Sequence, residues 1–396
     1  MIKRQISDKL LELSRQYPVV SVMGPRQSGK TTLVKAMFPD HYYVSMEDLD
    51  RRAQALADPR HFLMTVASRY AGMIIDEIQE APELLSYMQG VVDANREPGR
   101  FILTGSQNFL IHQKISQTLA GRIALLTLFP LSVDELKQAN RLPATLEEIL
   151  VQGCYPGLYN PMTTINFDEW FIFYIATYVE RDVRLIINIE NLTLFQNFLK
   201  LCAGRVGQVV NYTTLASDCG ISPNTAKAWL SLLEASYIIR QVQPYYKNFS
   251  KRVIKSPKLY FYDTGLLCAL LEIKDPKNLD SHYMRGLIFE SFIISECLKY
   301  RHNRGLLPNL YFWRDVRGHE IDCIIERGQD LLPIEIKSGK TINSSFFDGL
   351  IKWYEISEQK TDGYVIYGGT ENQDWPHAQV IGWDKIKTII DAWSGY

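Results

Sequence analysis

The stretch GPRQSGKTT, residues 24 to 32, has the residue types and spacing of a phosphate-binding loop. It fits the pattern GxxxxGK[ST], with an apolar run before it and a helical pattern after it. Glycines let backbone N–H groups curl around a phosphate, and the start of the following helix adds partial positive charge. We therefore predict an ATP site made of Gly24, Pro25, Arg26, Gln27, Ser28, Gly29, Lys30, Thr31 and Thr32.

An acidic pair follows at the end of another apolar run. Asp76 ends GMIID, and Glu77 comes directly after it. We expect Lys30 to reach the β- and γ-phosphates, while Thr31 and Asp76 hold Mg²⁺. Glu77 is then positioned to polarise the attacking water as the catalytic residue. Together these residues predict hydrolysis of Mg·ATP.

Further polar residues are candidates for contact with the γ-phosphate. Ser106 ends the run RFILTGS, and its neighbours Thr104 and Gln107 are alternatives to it. Arg122, in LAGR, is a candidate arginine finger or sensor, acting either within its own chain or across the subunits of a homo-oligomer. Arg26 is an alternative contact from within the loop. The sequence leaves the source of an arginine finger open.

The elements that must position these residues alternate along the first third of the chain. Apolar runs and helical patterns at short spacing predict parallel βα units, and hence an α/β fold with a parallel sheet. The five runs expected to form buried strands are residues 18–24, 41–46, 72–76, 100–106 and 122–129.

The totals exclude several classes of protein. At 396 residues the chain is too long for one ordinary core, and 46% hydrophobic with 22% charged residues is typical of a globular protein. No apolar run has the length of a membrane span, and no signal-peptide pattern follows the first residues, so we expect a cytoplasmic protein without a membrane partner. The six cysteines are too scattered for a metal cluster. The net charge of −1 excludes a polycation but not a local basic face.

Residues 192 to 261 predict a winged helix-turn-helix. Three helical patterns precede two stretches suited to the strands of a wing. The third helix carries Asn224, Thr225 and Lys227, residue types suited to DNA phosphates or base edges. The hairpin adds the basic residues Lys247, Lys251, Arg252, Lys255 and Lys258. The alternatives to DNA binding are a lid or a protein-contact module, because lysines also protect exposed strand edges.

The last third contains a pattern typical of PD-(D/E)XK nucleases. Asp322 and Glu335 lie on predicted strands about a dozen residues apart, and Lys337 shares the face of Glu335 because strands have a period of two. In that fold two carboxylates ligate a metal and the lysine positions or activates water. Glu290, on the preceding amphipathic helix, can complete the site. The alternative is an inactive scaffold used for contact with DNA or protein.

A family resemblance joins these segments. The blocks GPRQSGKTTL, YVSMEDLD, IIDEIQEAPELL, FILTGSQN and QTLAGR, in this order, resemble predicted AAA-type ATPases of bacteria and archaea that carry a C-terminal conserved domain of unknown function. Later blocks also match, including ISPNTAKAWLSLLEASYII, KSPKLYFYDTGLL and RGLIFESFI. The resemblance implies an ATPase core of the additional-strand, catalytic-glutamate type, with Glu77 in the catalytic position.

These patterns predict four segments. They are a P-loop ATPase domain (1–135), a helical lid or linker (136–190) whose aromatic run FDEWFIFYIATYVERDV forms a buried helix, a winged helix (191–275) and a nuclease-like α/β domain (280–396). The predicted function is a Mg·ATP-dependent ATPase whose nucleotide state moves the later segments on DNA. Two alternatives remain open. One is a nucleotide switch for a protein interaction with an inert nuclease-like domain, and the other is an ATP-gated DNA nuclease.

Overall fold

The computed structural model describes residues 1–65, 69–106, 118–162, 165–178, 191–245, 255–357 and 362–394. The chain divides into two compact units. Unit 1 contains residues 1–131, with 235–237 and 301–307, and unit 2 contains the remaining residues, 132–234, 238–300 and 308–396. The four-segment division stays a prediction.

Unit 1 alternates helices and strands. Its described elements are α1 (Ser7–Ser14), β1 (Val19–Met23), α2 (Lys30–Met37), β2 (Tyr42–Ser45), α3 (Leu49–Ala57), α4 (Pro59–Thr65), β3 (Met73–Asp76), α5 (Leu84–Ala94), β4 (Phe101–Gly105) and β5 (Ile123–Thr127). Each strand lies within one of the five predicted runs, which confirms those predictions.

The five strands form one parallel sheet in the order β2-β3-β4-β1-β5. Residues of β1, β3 and β4 are buried throughout, as expected for a parallel sheet covered on both faces. A core of residues from α1, α2 and these strands, including Leu10, Val22, Leu33 and Ile102, packs on one face. The predicted parallel-sheet α/β class is confirmed. The strand β4 is inserted between β1 and β3, so the segments that follow these three strands lie side by side.

Unit 2 begins with helices. They are α6 (Val133–Gln138), α7 (Leu146–Gln152), α8 (Phe167–Tyr174), α9 (Leu192–Ala203), α10 (Tyr212–Cys219) and α11 (Pro223–Ala235). Local sequence explains several boundaries. Ser132 and Thr145 form capping boxes at α6 and α7, while Gly220, at φ 72°, ends α10 in the left-handed conformation that glycine adopts easily.

The later elements of unit 2 surround a mixed sheet. They are β6 (Ile239–Pro244), β7 (Lys258–Phe261), α12 (Thr264–Leu270), α13 (Pro276–Asp280), α14 (Arg285–Asn303), β8 (Leu310–Arg314), β9 (Glu320–Arg327), β10 (Asp330–Lys337), α15 (Asp348–Ser357), β11 (Gly363–Tyr367), β12 (Gln373–Trp375), β13 (Ala378–Gly382) and α16 (Ile386–Ser394).

The sheet of unit 2 has eight strands in the order β12-β13-β11-β10-β9-β8-β6-β7. The hairpin β6–β7 is antiparallel, and β6 then pairs in parallel with β8 through Gln243–Tyr311 and Pro244–Phe312. The strands predicted for a wing therefore continue into the sheet of the predicted nuclease-like segment. The predicted boundary between residues 191–275 and 280–396 therefore falls within elements that share one sheet.

The prediction of a buried aromatic helix is wrong in part. Phe171 and Tyr174 of α8 are buried, but Ile172 and Phe173 are 54% and 65% exposed. A continuous aromatic run does not reveal that one face of the helix is buried and the other exposed, because the helical period and not the composition decides which residues face inward.

All six cysteines are buried, and none of them forms a disulfide. Within the described ranges, no helix is both long enough and apolar enough to cross a membrane.

Candidate functional site

The predicted phosphate loop connects β1 to α2, and other residues of unit 1 hold it in place. Gly24 has φ 150° and a side chain there would collide with the Leu128 carbonyl, so the position requires glycine. Gly29, at φ 92°, directly precedes α2. Buried Arg4 donates hydrogen bonds to the Ser28 and Phe129 carbonyl oxygens at 2.7 and 2.6 Å, which fixes the loop against the segment after β5.

Lys30 lies buried inside the loop. Its ammonium donates to the carbonyl oxygens of Gly24 and Pro25 at 3.0 and 2.9 Å. Burial lowers the pKa of Lys30 to about 8, although the charges of Glu77 and Asp76 act in the opposite direction. The ammonium therefore sits where phosphate oxygens would be stronger partners than the two carbonyl groups.

Three hydroxyl groups form hydrogen bonds with the Asp76 carboxylate. The hydroxyl of Thr31 is 3.0 Å from each carboxylate oxygen, Tyr43 donates to Oδ2 at 2.8 Å, and Thr104 donates to Oδ1. Burial, followed by the bond to Asp76, raises the pKa of the Tyr43 hydroxyl. Hydroxyl and carboxylate oxygens are suitable ligands for Mg²⁺, so Thr31 and Asp76 form an oxygen donor set of the predicted kind.

Glu77 is held in an uncommon backbone conformation beside this set. Its φ of 53° is left-handed, which costs a residue with a side chain about 1 kcal/mol or more and is found preferentially at functional sites. Ser106 donates to Glu77 Oε2 at 3.2 Å, and the amide of Gln79 donates to the same oxygen. The acidic pair and Ser106, separated along the sequence, thus converge at the carboxyl ends of β3 and β4.

Arg122 does not reach the phosphate loop of its own chain. It precedes β5, whose Ile123 pairs with Val19 at the amino end of β1, whereas the loop follows the carboxyl end. Its guanidinium forms a bidentate pair with Asp93 of α5, with N···O distances of 2.6 and 2.8 Å. The prediction of a sensor within the chain is therefore wrong, and only action on another subunit remains a prediction. Arg26 faces Glu47 at 3.5 Å, and Gln107 lies outside the described residues.

Sequence reasoning missed three residues that support this site. They are Arg4, Tyr43 and Gln79, each of which contacts a predicted site residue or the loop. Only Gln79 carried a local signal, since it lies two residues after Glu77. The other two are remote in sequence and have no motif of their own.

A second group of charged residues lies in unit 2. Glu290 projects from α14, Asp322 from β9, and Glu335 with Lys337 from β10. Asp322 Oδ2 accepts from the Ile336 amide at 2.8 Å and from the Lys337 ammonium at 3.3 Å, and Lys337 also pairs with Glu335. The structure brings the four predicted nuclease residues into one region.

A set of three neighbouring carboxylates includes one that the sequence did not predict. Oxygens of Glu290, Glu320 and Asp322 lie within 4.8 Å of one another, a spacing that could hold a metal ion. Glu335 is instead turned toward Lys337 and packs against Gly349. Sequence reasoning missed Glu320, although it lies two residues before Asp322 on the same strand face.

Lys258 occupies a place that the sequence did not predict. It was assigned to the exposed basic hairpin, but it is 2% exposed, pairs with Glu290 at 2.9 Å and also pairs with Glu320. Tyr260, on the same strand, donates to Glu290 at 2.5 Å. The alternation of β7 places Lys258 and Tyr260 on one face, which is directed toward the carboxylates.

The remaining residues predicted for DNA contact are partly described. On α11, Asn224 and Lys227 are exposed, while half-buried Thr225 bonds to Ser222 through its backbone amide and its hydroxyl. Lys255 is exposed. Lys247, Lys251 and Arg252 lie outside the described residues.

Three family models match successive parts of the chain. A family model described as an AAA domain matches residues 16–137, one described as a domain of unknown function (DUF8612) matches 143–277, and another (DUF4143) matches 285–386. Two relatives, the uncharacterized proteins Mb2031c of Mycobacterium bovis and Rv2008c of Mycobacterium tuberculosis, are each 31% identical over 345 residues. The matched region covers 86% of this chain and 74% of each relative.

Among solved structures, the Walker-type ATPase paby2304 of Pyrococcus abyssi is similar to part of the chain. It is 16% identical, with a TM-score of 0.42, over 68% of this chain and 96% of that protein.

Proposed function

We propose that this chain hydrolyses Mg·ATP, from the premise that it belongs to the family of the mycobacterial proteins Mb2031c and Rv2008c and carries an AAA domain. The observation that carries the proposal is the convergence of Lys30, Thr31, Asp76 and Glu77 at the carboxyl ends of neighbouring parallel strands. Ligands of open α/β sheets bind at this edge.

Each residue has a distinct role in the proposed reaction. Lys30 leaves its two carbonyl partners to donate to the β- and γ-phosphates, and Thr31 and Asp76 hold the magnesium that accompanies ATP. That ion, when bound, neutralises charge on the phosphates. Glu77 orients the water that attacks the γ-phosphate and accepts its proton, while Ser106 holds the Glu77 carboxylate and would sense the γ-phosphate.

The test is the release of inorganic phosphate from ATP by the full chain with magnesium. Turnover that requires both ATP and Mg²⁺ supports the proposal. Absence of turnover under conditions in which the protein binds ATP would leave a nucleotide switch, in which occupancy alone controls a protein interaction.

We further propose that unit 2 contacts DNA through α11 and the β6–β7 hairpin. Exposed Asn224 and Lys227, half-buried Thr225 and exposed Lys255 support this, with Lys251 and Arg252 as further predicted contacts from sequence. Short polar and basic side chains at the start of a helix are suited to phosphates and base edges.

The double variant Lys227→Glu/Lys255→Glu is expected to weaken DNA binding about tenfold or more and to reduce the salt dependence of binding, since each phosphate contact releases condensed counterions. Fluorescence anisotropy with a duplex at two salt concentrations measures both effects. Lys277→Glu, a similarly exposed change on α13, is the control. Equal losses in the control and the double variant would show a general charge effect and contradict this surface.

The second candidate function is metal-dependent DNA cleavage at the charged group of unit 2. The convergence of Glu290, Asp322, Glu335 and Lys337 from three elements favours it. The carboxylates are suitable metal ligands, but the ammonium of Lys258 bonds to two of the acids and does not fit beside a divalent cation.

If this candidate is correct, Lys337→Ala is expected to reduce cleavage about 100-fold or more, because the lysine would no longer position water or balance Asp322 and Glu335. Single- and double-stranded DNA are incubated with Mg²⁺ or Mn²⁺, with and without ATP. Lys352→Ala, at an exposed ion pair with Glu355, is the control. If none of these conditions gives cleavage by the parental chain, the nuclease candidate is wrong and the switch alternative gains support.

A further inference from the structure

The charge balance of the acidic group in unit 2 depends on a lysine from another part of the chain. The carboxylates lie in residues matched by the DUF4143 model, whereas Lys258 lies in residues matched by DUF8612. The ammonium pairs with Glu290 at 2.9 Å and also pairs with Glu320, two of the three acids whose oxygens lie within 4.8 Å of one another. A compact ammonium thus takes the position that a shared cation would need.

The group consists of four carboxylates and three cations: Glu290, Glu320, Asp322 and Glu335 with Lys258, Arg314 and Lys337. Its formal net charge is −1 with Lys258 and −2 without it. Removal of Lys258 therefore takes one positive charge away from Glu290 and Glu320, and buried carboxylates must be balanced to remain ionised.

A fourth carboxylate, Glu335, adjoins Asp322. Glu335 is 3% exposed, and its Oε1 has no hydrogen-bond partner among the described residues. Burial, and next the nearby charge of Asp322, raise the pKa of Glu335, while Lys337 acts in the opposite direction. This oxygen lies against Gly349, and Glu335 is not one of the three acids whose oxygens lie within 4.8 Å of one another.

Lys258 is held firmly in the closed arrangement. It begins β7, pairs with Val242 of β6 and bridges to Val209, and the Leu259 amide donates to the Gln208 carbonyl at 3.1 Å. Burial would lower the pKa of Lys258, but the charges of Glu290, Asp322 and Glu320 outweigh it and raise the pKa. The lysine is therefore charged at neutral pH.

The group is nevertheless reachable from solvent. A cavity of about 430 Å³ is lined by Gly207, Gln208 and Val209 together with Lys258, Glu290 and Glu320. A hydrated metal ion is smaller than this cavity, so an ion can approach Glu290 and Glu320 from solvent.

We propose that Lys258 is an internal substitute for a divalent cation, and that Glu290, Glu320 and Asp322 bind such a cation only when the Lys258 ammonium is removed from them. Displacement of the hairpin strand β7 would be the natural route to removal. The proposal deepens the second candidate function, because it states the condition under which that site accepts a metal. Its readout is metal binding, so a failure to cleave DNA does not decide it.

The test is Mn²⁺ binding by the full chain without nucleotide, followed by the electron paramagnetic resonance signal of free Mn²⁺. Lys258→Met is expected to gain one Mn²⁺ site per chain, with affinity about tenfold or more above any binding by the parental protein. Lys258→Met/Asp322→Asn is expected to lose that site. Lys255→Met, at an exposed lysine three residues away, and Lys258→Arg, which keeps the charge, are expected to gain none.

Stability provides a second readout. Loss of the ammonium leaves the carboxylates unbalanced, so Lys258→Met is expected to unfold at a lower temperature than the parental protein. Added Mn²⁺ should raise that unfolding temperature again. Lys255→Met is expected to keep the parental unfolding temperature with or without Mn²⁺. Lys258→Gln, whose amide can still donate to Glu290, is the milder variant. The proposal is wrong if the parental protein binds Mn²⁺ at Asp322 as tightly as Lys258→Met does. It is also wrong if neither Lys258→Met nor Lys258→Gln, whether folded or not, responds to Mn²⁺.

Discussion

Glu77→Gln is expected to lower the rate of ATP hydrolysis about 100-fold or more while ATP still binds. The amide keeps the size of the side chain and can still bond to Ser106 and Gln79, which both contact the Glu77 carboxylate. It cannot accept a proton from the attacking water. The measurement is kcat from phosphate release, with ATP affinity determined separately by calorimetry.

Glu80→Gln is the matched control for this variant. Glu80 lies three residues after Glu77, and its carboxylate pairs with Arg52 at 2.8 Å on the surface. Exposed ion pairs contribute little to stability, so this change should leave turnover near the parental rate. Hydrolysis by Glu77→Gln at the parental rate would refute the catalytic role of Glu77.

Lys30→Ala is expected to weaken ATP binding about 100-fold or more, with loss of turnover as a consequence. The ammonium is buried within the loop, where water screens its interaction with phosphate poorly. The loop itself should persist, because Arg4 and the two glycines hold it independently. Calorimetric titration with ATP and Mg²⁺ measures the change, and Lys9→Ala, at an ion pair with Glu12 on α1, is the control.

The pH dependence of ATP affinity separates charge from shape. The protonated lysine binds phosphate, and burial lowers its pKa to about 8, so affinity should fall by up to about tenfold per pH unit above pH 8. Lys30→Arg should remove this dependence, because a guanidinium stays charged. Without nucleotide, the free energy of unfolding should change with pH in the opposite direction to ATP affinity. Between pH 8 and the ordinary lysine pKa the unfolded chain binds more protons, so stability should rise with pH. Affinity that is flat from pH 7 to 10 would contradict the role of the ammonium.

Local sequence was sufficient for the features that depend on neighbouring residues. The phosphate loop needs glycines at fixed positions before a helix, and Asp76 and Glu77 follow the end of a buried strand. The five strands of unit 1 were predictable because each is a short apolar run between helical patterns. Asp322, Glu335 and Lys337 could be grouped for a related reason, since strand periodicity places alternate residues on one face.

Tertiary structure decided every feature that depends on residues far apart in the chain. Tyr43 reaches Asp76 only because β2 is paired with β3, and Arg122 is excluded from the loop because parallel pairing places it at the opposite end of the sheet. Lys258 looked like one more solvent-exposed hairpin lysine, yet it is buried against carboxylates more than thirty residues away. The residue type determines the charge of a side chain. Its partner and its burial depend on strand order and register, which no local sequence pattern specifies.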